Sequence, residues 1–414
     1  MITTGVTGGR WRASVTPYGA VIPLDSDVPT LDWHIAADDR WHSPADEATV
    51  RQRRLDGTAV VETRVRIPGG DAVQRVYSVA DHDGLTVVEI ENESSLPIAI
   101  AFTCGNLLSR RPPTAPIEGI ALPRDSVAFP IGHHATLTVA IPHTADRHAG
   151  ELPAGLPTAA AVTRGWLTTI ERAGQLALPD VELNERVVAT RCELALGWPA
   201  IANDNVANDT VVNDNVVNDN AAGFVVAVDQ LVRMGDDAEP WVPHVANALE
   251  VAARTASSAA VADWFVAAAL GAAARVFAAA GDHRALRDLT ALCQRLRLQL
   301  ERQDQLPAQE PTDPVRALAW TERRLVAPSD GRAALLSAGL LASWLGHNFE
   351  VFNLPTGATG TVSFALRWHG ERPAVLWEQA PGASGPVMLM SPTLAPQWSS
   401  AELVGEALWN NYHR

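Results

Sequence analysis

Over residues 11–143 the apolar positions recur with a period of two. Val61, Thr63, Val65 and Ile67 alternate with Glu62, Arg64 and Arg66, which predicts a strand with one buried face. Pro68, Gly69, Gly70 and Asp71 supply turn chemistry, and residues 73–79 read as the returning strand. A second turn at Asp81, His82, Asp83 and Gly84 leads into residues 85–91. Ser94, Ser95, Leu96 and Pro97 lead into 98–103, and 136–141 closes the series. Short strands at this spacing predict an antiparallel β-sandwich over residues 1–150.

The period then changes. A stretch rich in Pro, Gly and Ala at about 145–161 reads as a linker, and helical signals follow. Asp180 is placed to cap a helix over 181–196. Further helices are predicted at 222–234, 240–254, 258–280, 282–302, 315–326 and 330–345, giving a central α-helical domain over 165–346. Leu286, Leu289, Cys293, Leu296 and Leu300 step by three and four along one of them, an amphipathic stripe. Period two returns at 350–354, 362–369, 374–378 and 387–390, so residues 347–414 read as a short C-terminal β-rich region. The fold class expected is α+β multidomain. Residues 203–220 interrupt the helical domain with a five-residue repeat carrying Asp204, Asp209, Asp214 and Asp219. An EF-hand needs a central Gly and a terminal Glu, both missing, so the repeat reads as a low-complexity surface loop.

Composition narrows the function classes. The 414 residues are 47% hydrophobic and 19% charged, enough for packed cores, and the net charge of −15 disfavours nucleic-acid and membrane-surface partners. Every one of the 32 basic residues is Arg. Without Lys there is no Schiff-base or lysine general-base chemistry and no P-loop lysine. Cys104, Cys192 and Cys293 form no CxxC or metal spacing and suit a reducing compartment. The most apolar helical segment, 259–280, contains Asp263 and Arg275 and falls short of the ~18 apolar residues of a membrane span. Residues 1–9 show no secretion signal, and the expected location is cytoplasmic.

Three clusters could carry chemistry. Trp33 and His34, with Asp32, Asp38, Asp39, Arg40, Trp41 and His42, offer an aromatic platform for a sugar or, more plainly, indoles packed beneath a strand pair. His133, His134, His143 and His148 loosely invite zinc, but a strand separates them and no metal is expected. Asp236, Asp237, Glu239 and Trp241 crowd one inter-helical loop, where paired carboxylates could act as acid and base in glycoside hydrolysis or simply cap a helix. Glu322, beside Trp320, is a further carboxylate without an evident partner. GxSxG, GxGxxG after a strand, Walker A and HExxH motifs are absent, and no cofactor is expected.

The stretches VVEIENESSLPIAIAFT (87–103), LALPDVELNERVVATRCELAL (176–196) and VSFALRWHGERPAVLWE (362–378) resemble, in turn, the β-domain, first toroid helix and closing β-domain of six-hairpin glycosidases, the glucoamylase-like and phosphorylase-like enzymes. The resemblance implies a saccharide ligand at one mouth of an α/α toroid, with an acid and a base on loops there. Asp236, Asp237, Glu239 and Glu322 are then the candidate catalytic carboxylates, and Trp33, Trp41 and Trp241 the candidate substrate-binding surfaces. A full toroid has twelve helices against about seven here, so a partial toroid is expected. Two readings stay open: a glycosidase-like enzyme of α-glucan-type metabolism, or a non-catalytic relative that binds a saccharide or a protein.

Overall fold

The alternation of the first third becomes two stacked antiparallel sheets. In the computed structural model, which describes all residues except 25, 38–39, 104–106, 115–125, 144–149, 198–213, 259–263, 301–305 and 410–414, the chain divides into two units. The first is Met1–Thr168 with Ala195–Gly197. Its six-stranded sheet runs, in spatial order, Leu108–Ser109, Thr136–Pro142, Leu85–Asn92, Gly70–Val79, Val61–Ile67 and Arg51–Arg54. A four-stranded sheet runs Val127–Ile131, Ile98–Phe102, Trp33–Ala37 and Arg40–His42. Val61, Val65, Val76, Val88 and Ile90 from one sheet share a core with Trp33, Ile35, Ile100, Phe102 and Phe129 from the other. Each such aliphatic side chain taken fully out of water contributes about 1.5–3 kcal/mol.

The outer face of the larger sheet departs from simple alternation. Glu62 points outward yet is only 2% exposed, because Arg53, Arg64 and Arg75 close over it at 3.0–3.1 Å. Burial pushes the Glu62 carboxyl up, but the hydrogen bonds and charges of Arg64 and Arg53 outweigh that and hold it below its usual range.

The second unit is Thr169–Leu194 with Trp198–Arg414. The described α-helices are α1 (Ala159–Ile170), α2 (Val181–Ala195), α3 (Asp214–Met234), α4 (Val242–Ser258), α5 (Trp264–Ala279), α6 (His283–Leu300) and α7 (Pro314–Leu325). Helix α3 lies against α4 and α5, and α5 against α6. No helix among the described residues is long and apolar enough to cross a membrane. Helix α1, which begins in the first unit, starts inside the stretch expected to be linker and runs on where the sequence predicted no element. Ala159, Thr163, Trp166 and Ile170 make its buried stripe, and the Thr158 hydroxyl accepts the Ala161 N–H at 3.3 Å. Residues 203–213 of the repeat lie outside the described set, and 214–220 form the start of α3.

The helix expected at 330–345 is a correction. Strands Val326–Ser329 and Arg332–Leu335 pair there as a hairpin, followed by a short 3₁₀ turn at Ala342–Trp344. The Asp330-Gly331 pair between them, with Gly331 at φ +63°, is the two-residue hairpin turn that overrides the helical propensity of the flanking Ala and Leu. The tail is accordingly a second sandwich. A five-stranded sheet, Gln175–Ala177, Phe349–Pro355, Thr361–His369, Arg372–Ala380 and Val404–Leu408, faces a four-stranded one, Val326–Ser329, Arg332–Leu335, Met388–Ser391 and Ala395–Ser400. Val351, Phe364, Leu366 and Trp377 share its core with Leu335, Leu389, Trp344 and Trp409. Leu183 of α2 and Leu325 of α7 belong to the same core, which ties these two helices to the sheets.

Gly84 tests the turn chemistry of the first sandwich. It sits at φ +87°, and a methyl group there would lie 2.2 Å from the Trp11 ring. Gly84→Ala is expected to cost about 1–3 kcal/mol, from overpacking added to a strained φ. Urea melts followed by circular dichroism measure it.

Candidate functional site

From Ala221 onward helix α3 is apolar almost all round: Phe224, Val225, Val226, Ala227 and Val228 are buried in succession. Asp229 and Gln230 follow inside that run, each 1% exposed. Charge faces them from three other helices, with Arg191 fully buried and Glu322 and Arg275 partly so. Arg191 falls four residues after Val187 in the buried stripe of α2, Glu322 four after Leu318 in α7, and Arg275 interrupts the Ala-rich α5. The spacing that puts apolar residues inside therefore carries these charges inside too.

They meet as one network. Arg191 Nη2 donates to Glu322 Oε1 at 2.8 Å, Gln230 Nε2 to the same oxygen at 3.1 Å, and Arg233 Nη1 to Oε2 at 2.9 Å. Arg191 also donates to Gln230 Oε1 at 3.1 Å, to the Ile170 and Ala173 carbonyls at 3.4 Å, and to the Gly174 carbonyl. It thereby satisfies the end of the α1 segment as well as α3 and α7. Arg275 grips Asp229 through two bonds of 2.8 and 2.7 Å, and Arg233 lies 3.6 Å from Asp229, so the pairs are continuous.

Burial alone would push the Glu322 carboxyl up, but Arg233 and Arg191, with hydrogen bonds from Arg233 and Gln230, outweigh it and hold the group at about 2. Burial pushes Arg191 down against the pull of Glu322, whereas for Arg275 the contact with Asp229 outweighs burial and pushes it up. Arg191 and Glu322 are thus both pushed down, which favours charge on Glu322 and disfavours it on Arg191, and the geometry reconciles the two. Arg191 is hydrogen-bonded on every side, and guanidinium starts so far above neutrality that it stays charged.

Two cavities flank the network. One of about 100 Å³ is lined by Asp229, Gln230, Arg275, Glu322 and Arg323 with apolar residues including Leu354. The other, about 470 Å³ between α2 and α7, has Leu183, Val187, Ala317 and Leu318 in its walls. Glu310 lies on its rim, bound by Arg186 through bonds of 3.1 and 2.7 Å.

Of the residues singled out from sequence, the structure brings Glu322 alone into this network. Asp236, Asp237 and Glu239 are exposed on the loop between α3 and α4. Partial burial pushes the Asp236 carboxyl up. Asp237 Oδ1 accepts the Glu239 N–H at 3.2 Å in ordinary capping fashion. Trp33 is 2% exposed in the sandwich core and donates its indole N–H to the Tyr18 carbonyl, so it offers no face to a ligand. Trp41 is half-buried on the neighbouring strand, opposite Ala36 and so on the other face of the sheet from Trp33, and Asp38 and Asp39 lie outside the described residues. Trp241 is half-buried, edge-on to Phe224 and His244 at 6.3 and 6.4 Å. His143 Nε2 meets the Thr86 hydroxyl at 2.8 Å, and burial pushes that imidazole down to about 4; His148 lies outside the described residues. Sequence reading assigned no site role to Arg191, Asp229, Gln230, Arg233 or Arg275. The signal for them was a polar side chain at an apolar-stripe position.

No family model matches the chain, and no curated protein matches it. Among solved structures it is similar to a "Putative kojibiose phosphorylase from human microbiome", over 98% of this chain and 95% of that one, at 5% identity and a TM-score of 0.33. At that distance the likeness bears on no residue of the network.

Glu322→Gln is expected to cost about 3–5 kcal/mol, because it leaves two buried guanidiniums short of a counter-charge. The Glu322 carboxyl is depressed from the ordinary 4.5 to about 2, so its contribution is complete above pH 4.5 and lost as pH falls from there toward 2. That span corresponds to about 3 kcal/mol. Urea titrations between pH 7 and 3 should show a steeper acid loss in the wild type than in the variant.

Proposed function

We propose that this chain is a saccharide-binding protein of glycosidase-like architecture that does not hydrolyse its ligand. The observation that carries the reading is the state of the carboxylates facing the smaller cavity. Asp229 and Glu322 are both ion-paired to arginine, and Glu322 is held at about 2. Glycoside hydrolysis by paired carboxylates requires one of them protonated at working pH, with a raised pKa. A carboxyl at about 2 is a permanent acceptor and cannot serve as that acid.

The same groups suit hydroxyl recognition. A carboxylate offers about four acceptor sites; Glu322 uses three and Asp229 two at short range, which leaves capacity toward the cavity. Gln230 and Arg275 stand beside them as donors. Donor and acceptor side by side match the two hydroxyls of a vicinal diol. A cavity of about 100 Å³ holds roughly three waters by volume, so it takes the hydroxyl edge of a ring and not a whole sugar. This is the saccharide-binding alternative of the two sequence readings, and the order β-sandwich, helices, β-sandwich supports the architectural part of it.

Purified protein screened against an oligosaccharide panel, reading melting temperature and reducing-end release together, decides between the two. Binding without hydrolysis raises the melting temperature and releases no sugar; release above the buffer blank identifies an enzyme. Gln230→Ala is expected to weaken the best ligand at least about tenfold, because it removes a donor at the cavity wall and also releases Arg191 and Glu322, which Gln230 holds.

A further inference from the structure

Strand Val404–Leu408 ends the five-stranded sheet and, among the described residues, pairs on one side only, with Arg372–Ala380. The Gln379 N–H donates to the Leu403 carbonyl at 2.7 Å, and the Trp409 N–H to the Pro373 carbonyl at 2.9 Å. Antiparallel pairing alternates, so the odd-numbered residues bond inward, and Val404, Glu406 and Leu408 turn their N–H and C=O groups to the open edge. The side chains of the same three residues are exposed on the outer face.

That edge lacks the protection its counterparts carry. The other terminal strands of the four larger sheets are two or three residues long (Leu108–Ser109, Arg40–His42, Gln175–Ala177), hold proline (Pro130, Pro328, Pro396), or are arginine-rich (Arg51–Arg54). Short length, proline and charge are the devices that stop sheet edges from pairing with other chains. Val404–Leu408 has no proline and no base, and large exposed apolar side chains gather on it: Leu403 at 47%, Val404 at 67%, Leu408 at 49%, with Leu376 of the adjoining strand at 40%. The charge around them is acidic. Glu406 lies within the strand, Glu378 opposite Val404, and Glu402 just before it. Arg367, on the same face, is ion-paired to Glu350, and Arg372 stands at the Leu408 end of the adjoining strand, away from Glu378 and Val404.

We infer that this edge receives an extended protein segment as an added strand, one that sets a basic side chain between two apolar ones. The open main-chain groups supply the hydrogen bonds, Val404 and Leu408 the apolar contacts, and Glu406 with Glu378 the charge that selects a base.

The test uses the full chain and a capped, fluorescein-labelled heptapeptide in which threonines alternate with valine, lysine and leucine. Fluorescence anisotropy should show saturable binding, at least tenfold weaker when the peptide lysine is replaced by glutamate. Glu406→Lys should invert that preference. Glu406→Pro removes an outward N–H without touching the pairing to Arg372–Ala380, and should abolish binding while leaving the thermal melt in place. Absence of saturable binding to the wild type, or equal binding of the lysine and glutamate peptides, overturns the proposal. So does wild-type self-association in sedimentation that Glu406→Pro removes, since the occupant would then be a second copy.

Discussion

Taking a carboxylate out of water costs several kcal/mol, and only well-placed cations and hydrogen bonds can offset that. Glu322 lives under this constraint, and the helical part of the second unit is organised around satisfying it. Arg191 reaches it from α2, while Arg233 and Gln230 reach it from α3. Arg191 in turn holds the carbonyls that end the preceding segment. Removing any one partner leaves another buried charge exposed to the same penalty, so the network behaves as a unit. A hydrophobic replacement of the whole set could be as stable. What these contacts do is join α2, α3 and α7 through one carboxylate in a single register.

The same locking defines the chemistry available. A general acid must give up a proton near neutrality, and the forces that let Glu322 survive burial pull it away from that range. Structural security and acid catalysis make opposite demands on this carboxyl. Helices α2 and α7 carry a division of labour, with charge toward α3 and a groove of Leu183, Val187, Ala317 and Leu318 between them.

The layout was legible wherever periodicity was strong. The strand at 61–67 emerges as Val61–Ile67, and the helices at 181–196, 282–302 and 315–326 are found within a few residues. The lapses have local causes. The Ala-rich start of α1 is compositionally close to a linker, and its Thr158 cap is the clue that distinguishes it. At 330–345, Ala and Leu suggest a helix while Asp330-Gly331 dictates a hairpin, and the turn prevails. The site was far less legible, because its members lie far apart along the chain: 131 residues separate Arg191 from Glu322. Trp33 illustrates the reverse difficulty. An indole reads the same in sequence whether it lines a cleft or fills a core, and only its position opposite Phe102 on an inward-facing strand decides.

The absence of lysine gives these ion pairs an asymmetry in pH. Every arginine–carboxylate contact here, from Glu62 under its three guanidiniums to Glu322 between two, joins a group that loses charge only in acid to one whose ordinary pKa lies far up the alkaline range. Alkali has no proton to remove from these pairs over the range in which lysine-built pairs would begin to fail. The molecule's electrostatic framework therefore opens from one side only, and acid is the direction from which its helices can be released.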